Sequence, residues 1–217
     1  MRIAAIADLH GHLPPTPESD VLVIAGDLVP FGLRAPEEQV AWLDGPFREW
    51  LAAQPARRIV GIAGNHDFVF QEAPELVPDL PWTYLQDAGC EIDGVRFWGS
   101  PWQPWFFDWA FNAPKEDGEA FLAERFALVP EDVDVLVVHG PPRGYGDRAA
   151  GDGSLVGSVA QLECIDRVGP AACVFGHIHE GRGRWTRGTT ELANVSAVDV
   201  YREPVDDPVV VLDVPSA

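Results

Sequence analysis

The stretch RIAAIADLH, residues 2–10, is a short apolar run that stops on an aspartate and a histidine. Such a run, bounded by polar residues and too short for a helix, reads as a buried β-strand. The same pattern recurs along the chain. DVLVIAGD (20–27), RRIVGIAGNHD (57–67), DVDVLVVHG (132–140) and AACVFGHIH (171–179) each carry an apolar run into polar residues. The segments between them supply helices. APEEQVAWLDGPFREWLAAQP (35–55) places Val40, Trp42, Leu43, Phe47, Trp50 and Leu51 near a 3.6-residue period. Pro36 suits its start, and Gly45-Pro46 should interrupt it. EDGEAFLAERFALVP (116–130) and GSVAQLECIDRVGP (157–170) read as two further helices.

CEIDGVRFWGS (90–100) reads as paired strands turning at Asp93-Gly94. PWQPWFFDWAFNAP (101–114) is aromatic and rich in proline, which predicts a long loop, and residues 189–214 are strand-rich. No internal repeat, linker or low-complexity tract divides the chain. The expectation is one α/β or α+β domain over residues 1–217, with a two-layer sheet core.

Composition excludes several classes. At 47% hydrophobic the chain can bury a core, so it is not disordered. Its apolar runs are far too short to cross a membrane. Asp8 and His10 interrupt the N-terminal run, so it does not read as a secretory signal. Three cysteines without a CxxC pair fit buried thiols in a reducing, cytoplasmic setting and offer no thiolate metal site. A net charge of −19 repels duplex DNA and RNA, while leaving room for a small anionic ester wherever something local supplies positive charge.

The polar residues at the strand ends carry the chemistry. In chain order they are Asp8 and His10, Asp27, Asn65 with His66 and Asp67, His139, then His177 and His179. Ligands collect at the carboxyl ends of strands in α/β sheets, so these scattered residues should gather on one rim. Five of the six histidines fall in these slots, and only His12 is left over. Carboxylate and amide oxygens mixed with imidazole, without thiolate, suit manganese, iron, zinc or cobalt better than a structural zinc site. So many candidate ligands exceed the need of one tetrahedral ion and suit two ions sharing a carboxylate.

Set out as DLH, GD, GNHD, VVHG and GHIH, these motifs resemble the signature of the calcineurin-like metallophosphoesterases. That family's fold is a four-layer arrangement, a two-sheet β-sandwich flanked by helices. GSPWQPWFFDWAFN (99–112), HGPPRGYGD (139–147), GHIHEGRG (176–183) and NVS (194–196) further resemble the MPPED-type subgroup, whose known members are phosphodiesterases. Some vertebrate members carry glycine at the position of His177, so its retention implies an intact second metal site. The protein Ser/Thr phosphatases carry GDxxDRG, whereas this chain reads GDLVPFG (26–32).

The resemblance implies that Asp8, His10, Asp27 and His179 bind one divalent ion and that Asp27, Asn65, His139 and His177 bind the other. Manganese leads the expectation, with iron, zinc, cobalt or magnesium as alternatives. A hydroxide bridging the ions would attack phosphorus, and His66 would act as general acid at the leaving oxygen. Asp67 either orients the His66 imidazole or serves as a cap or turn residue. Arg143 and His12 are candidates for substrate contact, each set against a plain surface role. Trp102 and Trp105, with Phe106, Phe107 and Trp109, would stack a nucleobase, pack on the core or form a homodimer contact. Asn194 and Ser196 lie in the NVS motif, where a strand-end hydrogen bond is the simpler role.

The function expected is hydrolysis of small phosphodiesters, nucleotide-like ones first. The alternatives are a phosphomonoesterase of the same superfamily and a nucleotide-binding regulatory protein with feeble catalysis.

Overall fold

The computed structural model describes residues 1–215. Two sheets lie face to face. In the first, strands β1 (Arg2–Ile6), β2 (Val21–Ala25), β3 (Arg58–Ile62) and β4 (Thr83–Tyr84) run parallel. The second contains β5 (Ala88–Ile92), β6 (Val95–Ser100), β7 (Val135–Val138), β8 (Ala172–Phe175), β9 (Gly183–Arg187) and β10 (Thr190–Asn194), in the order β5-β6-β7-β8-β10-β9. Strand β11 (Val210–Asp213) returns to pair antiparallel with β1.

Each central strand buries both faces, which is why it reads as a continuous apolar run instead of an alternating one. Residues Ile3, Ala5, Val21, Val23, Val60 and Ile62 face Phe97, Val135, Val137 and Val174 across the interface between the sheets. The intervening residues point outward to helices. Ile6, Leu22 and Ile24 pack on Leu43, Phe47, Trp50 and Leu51 of the 36–53 segment. That segment is α1 (Pro36–Trp42), a wide turn at Leu43–Phe47 and α2 (Arg48–Ala53). Gly45 leaves helical geometry there, at φ −106° and ψ −105°, as the Gly-Pro pair predicts. After β3 comes a single turn, α3 (Val69–Glu72). On the other side, Leu136, Val138, Cys173 and Phe175 pack on α4 (Gly118–Phe126) and α5 (Val159–Val168). Helix α5 starts at Ser158, whose side chain accepts from the Gln161 N–H, and ends at left-handed Gly169. The layering is helix, sheet, sheet, helix, the four-layer α/β sandwich the resemblance implies.

The hairpin expected at Asp93-Gly94 is present. Ile92 pairs with Val95, and the two turn residues take φ +48° and +80°, as a two-residue turn of matched twist requires. Two strands escaped the sequence pattern. Strand β9 is an edge strand with alternate residues exposed and arginines at two of its five positions, so it has no apolar run to read. Strand β4 has only two residues. Residues 195–209, within the segment expected to be strand-rich, are mostly irregular and belong to the site below.

Candidate metal centre

The parallel strands β1, β2, β3, β7, β8 and β10 end at one rim of the sandwich, where the sheets are stitched together. A backbone bridge joins Ala7, just past β1, to Ser196, just past β10. The Asp8 carboxylate accepts from the His177 N–H (2.9 and 3.1 Å) and from the Ser196 hydroxyl, so a first-sheet residue holds the loops of the second. Nδ1 of His139 lies 2.9 Å from the Ala25 carbonyl, crossing in the other sense.

The chain arrives at this rim in strained backbone. Asp8, His10, Asp27 and His177 all have positive φ, between +42° and +69°. Such conformations are costly in non-glycine residues and persist where surrounding structure holds them, typically at functional sites. Two glycines make room for the carboxylates. A Cβ at Gly64 would collide with Asp27 Oδ1, and one at Gly176 with Asp8 Oδ2.

The seven expected ligands fall into two adjoining donor sets. In the first, His10 Nε2 lies 3.3 Å from His179 Nε2 and 3.5 Å from Asp27 Oδ2, and His179 Nε2 is 3.9 Å from Asp8 Oδ1. In the second, His139 Nε2 lies 2.8 Å from Asn65 Oδ1 and 3.5 Å from Asp27 Oδ1, and the His177 ring centre is 5.1 Å from that of His139. Asp27 stands between the sets with one oxygen toward each.

These residues fit a pair of divalent cations. Nδ1 of His179 lies 3.2 Å from the Asp199 carbonyl, and Nδ1 of His139 bonds Ala25. A ring that donates through Nδ1 keeps its Nε2 lone pair for a metal. Burial holds His10 and His177 well below the ordinary histidine range, so both rings are neutral. His139 is also disfavoured by burial, but Asp27 and Asp8 outweigh that and push it up to about 9. Burial would raise Asp27 too, yet His139, His66 and His10 hold it well below the usual carboxylate range. Buried carboxylates thus recruit a proton onto His139 as their cation. A divalent ion at the same donors would take over that role.

His66 is half-buried at the edge of this cluster. Its backbone N–H donates to Asp27 Oδ1 at 2.7 Å, and its ring centre lies 5.0 Å from His10. Burial lowers its pKa and Asp27 partly restores it. Fully buried Gln39 fixes the local chain: its Nε2 donates to the carbonyls of His66 and Leu33, both at 2.8 Å, and its Oε1 accepts from Val69.

A family model described as calcineurin-like phosphoesterase matches residues 1–181. The chain belongs to this family. Membership makes it a metal-dependent phosphoester hydrolase. The phosphoesterase is 36% identical to metallophosphoesterase domain-containing protein 1 of Homo sapiens, over 99% of this chain and 71% of that protein. The Mus musculus protein of the same name matches to the same extent. Among solved structures, phosphopantetheinyl hydrolase from Mycobacterium tuberculosis superimposes with TM-score 0.58 at 16% identity, covering 97% of this chain and 95% of that one. That likeness speaks to the fold alone.

The cleft over the phosphoesterase's donor sets has a volume of about 470 Å³. Trp105, Phe106 and Trp109 of the aromatic loop line one wall of it, and Phe107 is not part of that lining. Trp109 packs 4.4 Å from the His66 ring, and Phe106 lies 5.9 Å from His177. Trp102 does not belong to that wall. Its ring packs on Phe111 and Phe121 and its Nε1 donates to Asp87 at 2.9 Å, which makes it a support beneath the loop. Arg143 is exposed and lies outside the cleft lining. His12 is also exposed and lines a separate hollow with Leu13, Pro14 and Pro204. Asp67 does not reach the His66 imidazole. Its buried carboxylate accepts from the N–H groups of Gly64, Leu28 and Val29 and so clamps the GNHD turn to the GD turn. In the NVS motif, Asn194 Nδ2 donates to the Ile178 carbonyl at 2.8 Å while Ser196 holds Asp8, so the motif fixes the GHIH loop from behind.

Sequence reasoning missed Phe31, Gln39 and Arg202. The Phe31 ring stacks on His10 at 3.6 Å with an 18° interplanar angle. It lies four residues beyond Asp27, in GDLVPFG, where position relative to the GD motif was an available signal. Gln39 is a polar residue in a helix with no motif around it, and Arg202 lies far along an irregular segment. Neither carries a sequence signal.

Proposed function

We propose that the phosphoesterase hydrolyses small phosphodiesters with an aromatic, nucleotide-like substituent. The observation that carries this is apolar surface beside each half of the donor cluster. Phe31 abuts His10 and His179 of the first set, with ring centres 3.6 and 6.5 Å apart, and Phe106 abuts His177 of the second. A diester needs room for two organic groups on one phosphorus: the edge of Phe31 gives one of them an apolar contact, and the wall of Trp105, Phe106 and Trp109 gives a base or aryl group a stacking face.

Asp8, His10, Asp27 and His179 would hold one divalent cation and Asp27, Asn65, His139 and His177 the second, manganese before iron, zinc, cobalt or magnesium. Two bound divalent cations would supply positive charge for the phosphoryl oxygens and lower the pKa of a water molecule toward neutrality. The protein's own residues supply orientation and a proton. Asp27 places both donor sets at one distance and, through the His66 N–H, ties the acid to the same carboxylate. His66 presents an imidazole N–H to the departing oxygen, as general acid or as hydrogen-bond donor. Trp109 and Phe31 flank that ring, with centres 4.4 and 5.2 Å from it.

The test uses bis(p-nitrophenyl) phosphate and p-nitrophenyl phosphate. A chelator should abolish hydrolysis of the diester, manganese should restore it, and the diester should be preferred over the monoester. A preference for the monoester would replace this reading with a phosphomonoesterase. Tight nucleotide binding with negligible turnover in saturating metal would replace it with a binding protein.

A further inference from the structure

Among the described residues, Arg202 is the one lysine or arginine that lines the cleft. Its guanidinium carbon lies 4.2 Å from the Phe31 ring centre, while His10 stacks on that ring at 3.6 Å. Two groups this close to one ring centre cannot share a face, so Phe31 is sandwiched between a metal-type donor and a cation. The arginine therefore stands one ring thickness behind the first donor set. Among the described residues its guanidinium forms no ion pair, although the chain carries a net charge of −19.

The backbone that carries Arg202 is built for its place. The Asp199 carbonyl accepts from the Arg202 N–H at 2.9 Å and lies 3.2 Å from His179 Nδ1. The Asp199 carboxylate accepts from Tyr201 and Glu203, and Arg202 itself sits at φ +68°. One residue thus sets both a donor histidine and the arginine. Elsewhere in the cleft lining the charged residues are Asp27, Asp152 and Glu180. The cavity is electrostatically lopsided, with a single fixed cation.

We propose that Arg202 binds a second anionic group of the substrate, a phosphate or carboxylate next to the phosphoryl being hydrolysed, and that it makes the enzyme prefer substrates that carry one. Set behind Phe31, the guanidinium is displaced from a phosphoryl held at the donors and is placed for an anion a bond or two further out. Its planar fork matches either oxyanion, and the stack on Phe31 orders it beforehand. Arg202 thus takes the role expected of Arg143. The inference rests on the phosphoesterase reading of the cleft, since it assumes a phosphoryl at the donor sets.

The test is calorimetric titration of the manganese-loaded full chain with AMP and with ADP at one fixed free manganese concentration. ADP should bind about tenfold tighter than AMP, the worth of one charge-assisted contact. Arg202→Gln should bring that ratio close to one, and Arg202→Lys, which keeps the charge without the fork, should restore part of it. Residue 202 is exposed, and neither replacement alters the cost of its left-handed backbone, so both variants should fold. A wild-type ratio near one, or a ratio unchanged in Arg202→Gln, overturns the proposal. The two readings fail separately. A ratio that depends on Arg202 without hydrolysis of bis(p-nitrophenyl) phosphate sinks the enzyme reading and keeps the anion site. Hydrolysis with an unchanged ratio does the reverse.

Discussion

The donor atoms and the cleft walls of this phosphoesterase rest on different kinds of backbone. Every expected ligand lies within a few residues of a parallel strand end, and sheet hydrogen bonds fix where that strand stops. The walls come from three irregular segments: the turn bearing Phe31, the loop bearing Trp105, Phe106 and Trp109, and the loop bearing Arg202. Position along the chain is a reliable guide to the first group and a poor one to the second. Arg143 is four residues past His139 and lies outside the cleft lining, whereas Arg202 is 23 residues past His179 and lines it.

The sharpest way to break this contrast is at the strand ends. Asp27→Ala removes the oxygens that face both donor sets, and it should lose metal and activity together, with kcat/KM down at least about 1,000-fold. Metal content by elemental analysis is the check, and a variant that kept two ions per chain would refute the bridging role. His66→Ala sits at the boundary between the two groups. Its turnover should fall about 100-fold or more with metal content intact. If metal were lost as well, His66 would be a ligand and the acid assignment would fail.

Smaller effects separate the members of the wall from their supports. Trp102→Leu should lower stability by about 3 kcal/mol, through lost ring packing and the lost bond to Asp87, with KM for the diester within about twofold of wild type. Trp109→Leu should do the opposite, raising KM several-fold with little change in melting temperature. Arg143→Ala should leave both within about twofold. Equal KM effects for Trp102 and Trp109 would mean that the loop acts as one unit and that the division drawn between its two ends is false.

Much of the molecule was legible because two simple physical patterns coincide. Runs such as Val21–Ala25 and Val135–Val138 are apolar without alternation because helices cover the outer face of each sheet while the sheets cover each other. A polar residue directly after such a run has one place to go, the rim. The Asp93-Gly94 turn and the Gly45-Pro46 break were legible for a local reason, the backbone preferences of the residues themselves. Strand β9 was not, because an exposed edge strand has no apolar run. Asp67 shows a subtler limit. Its neighbour His66 suggested an orienting carboxylate, but the backbone turn aims Asp67 the other way, toward N–H groups 38 and 39 residues distant.

The sequence by itself determined a sheet core with helices and the gathering of polar strand-end residues at one rim, since both follow from apolar runs and from the short polar motifs that end them, while the four layers and the donor roles are what the resemblance of those motifs implies. Only the tertiary structure decided which aromatic rings reach the cleft, which merely support it, and which arginine lines it. Those side chains stand on segments without repeating hydrogen bonds. Their positions come from packing and from single contacts, such as Asp199 with His179 and Phe31 with His10, whose partners lie far apart in the chain.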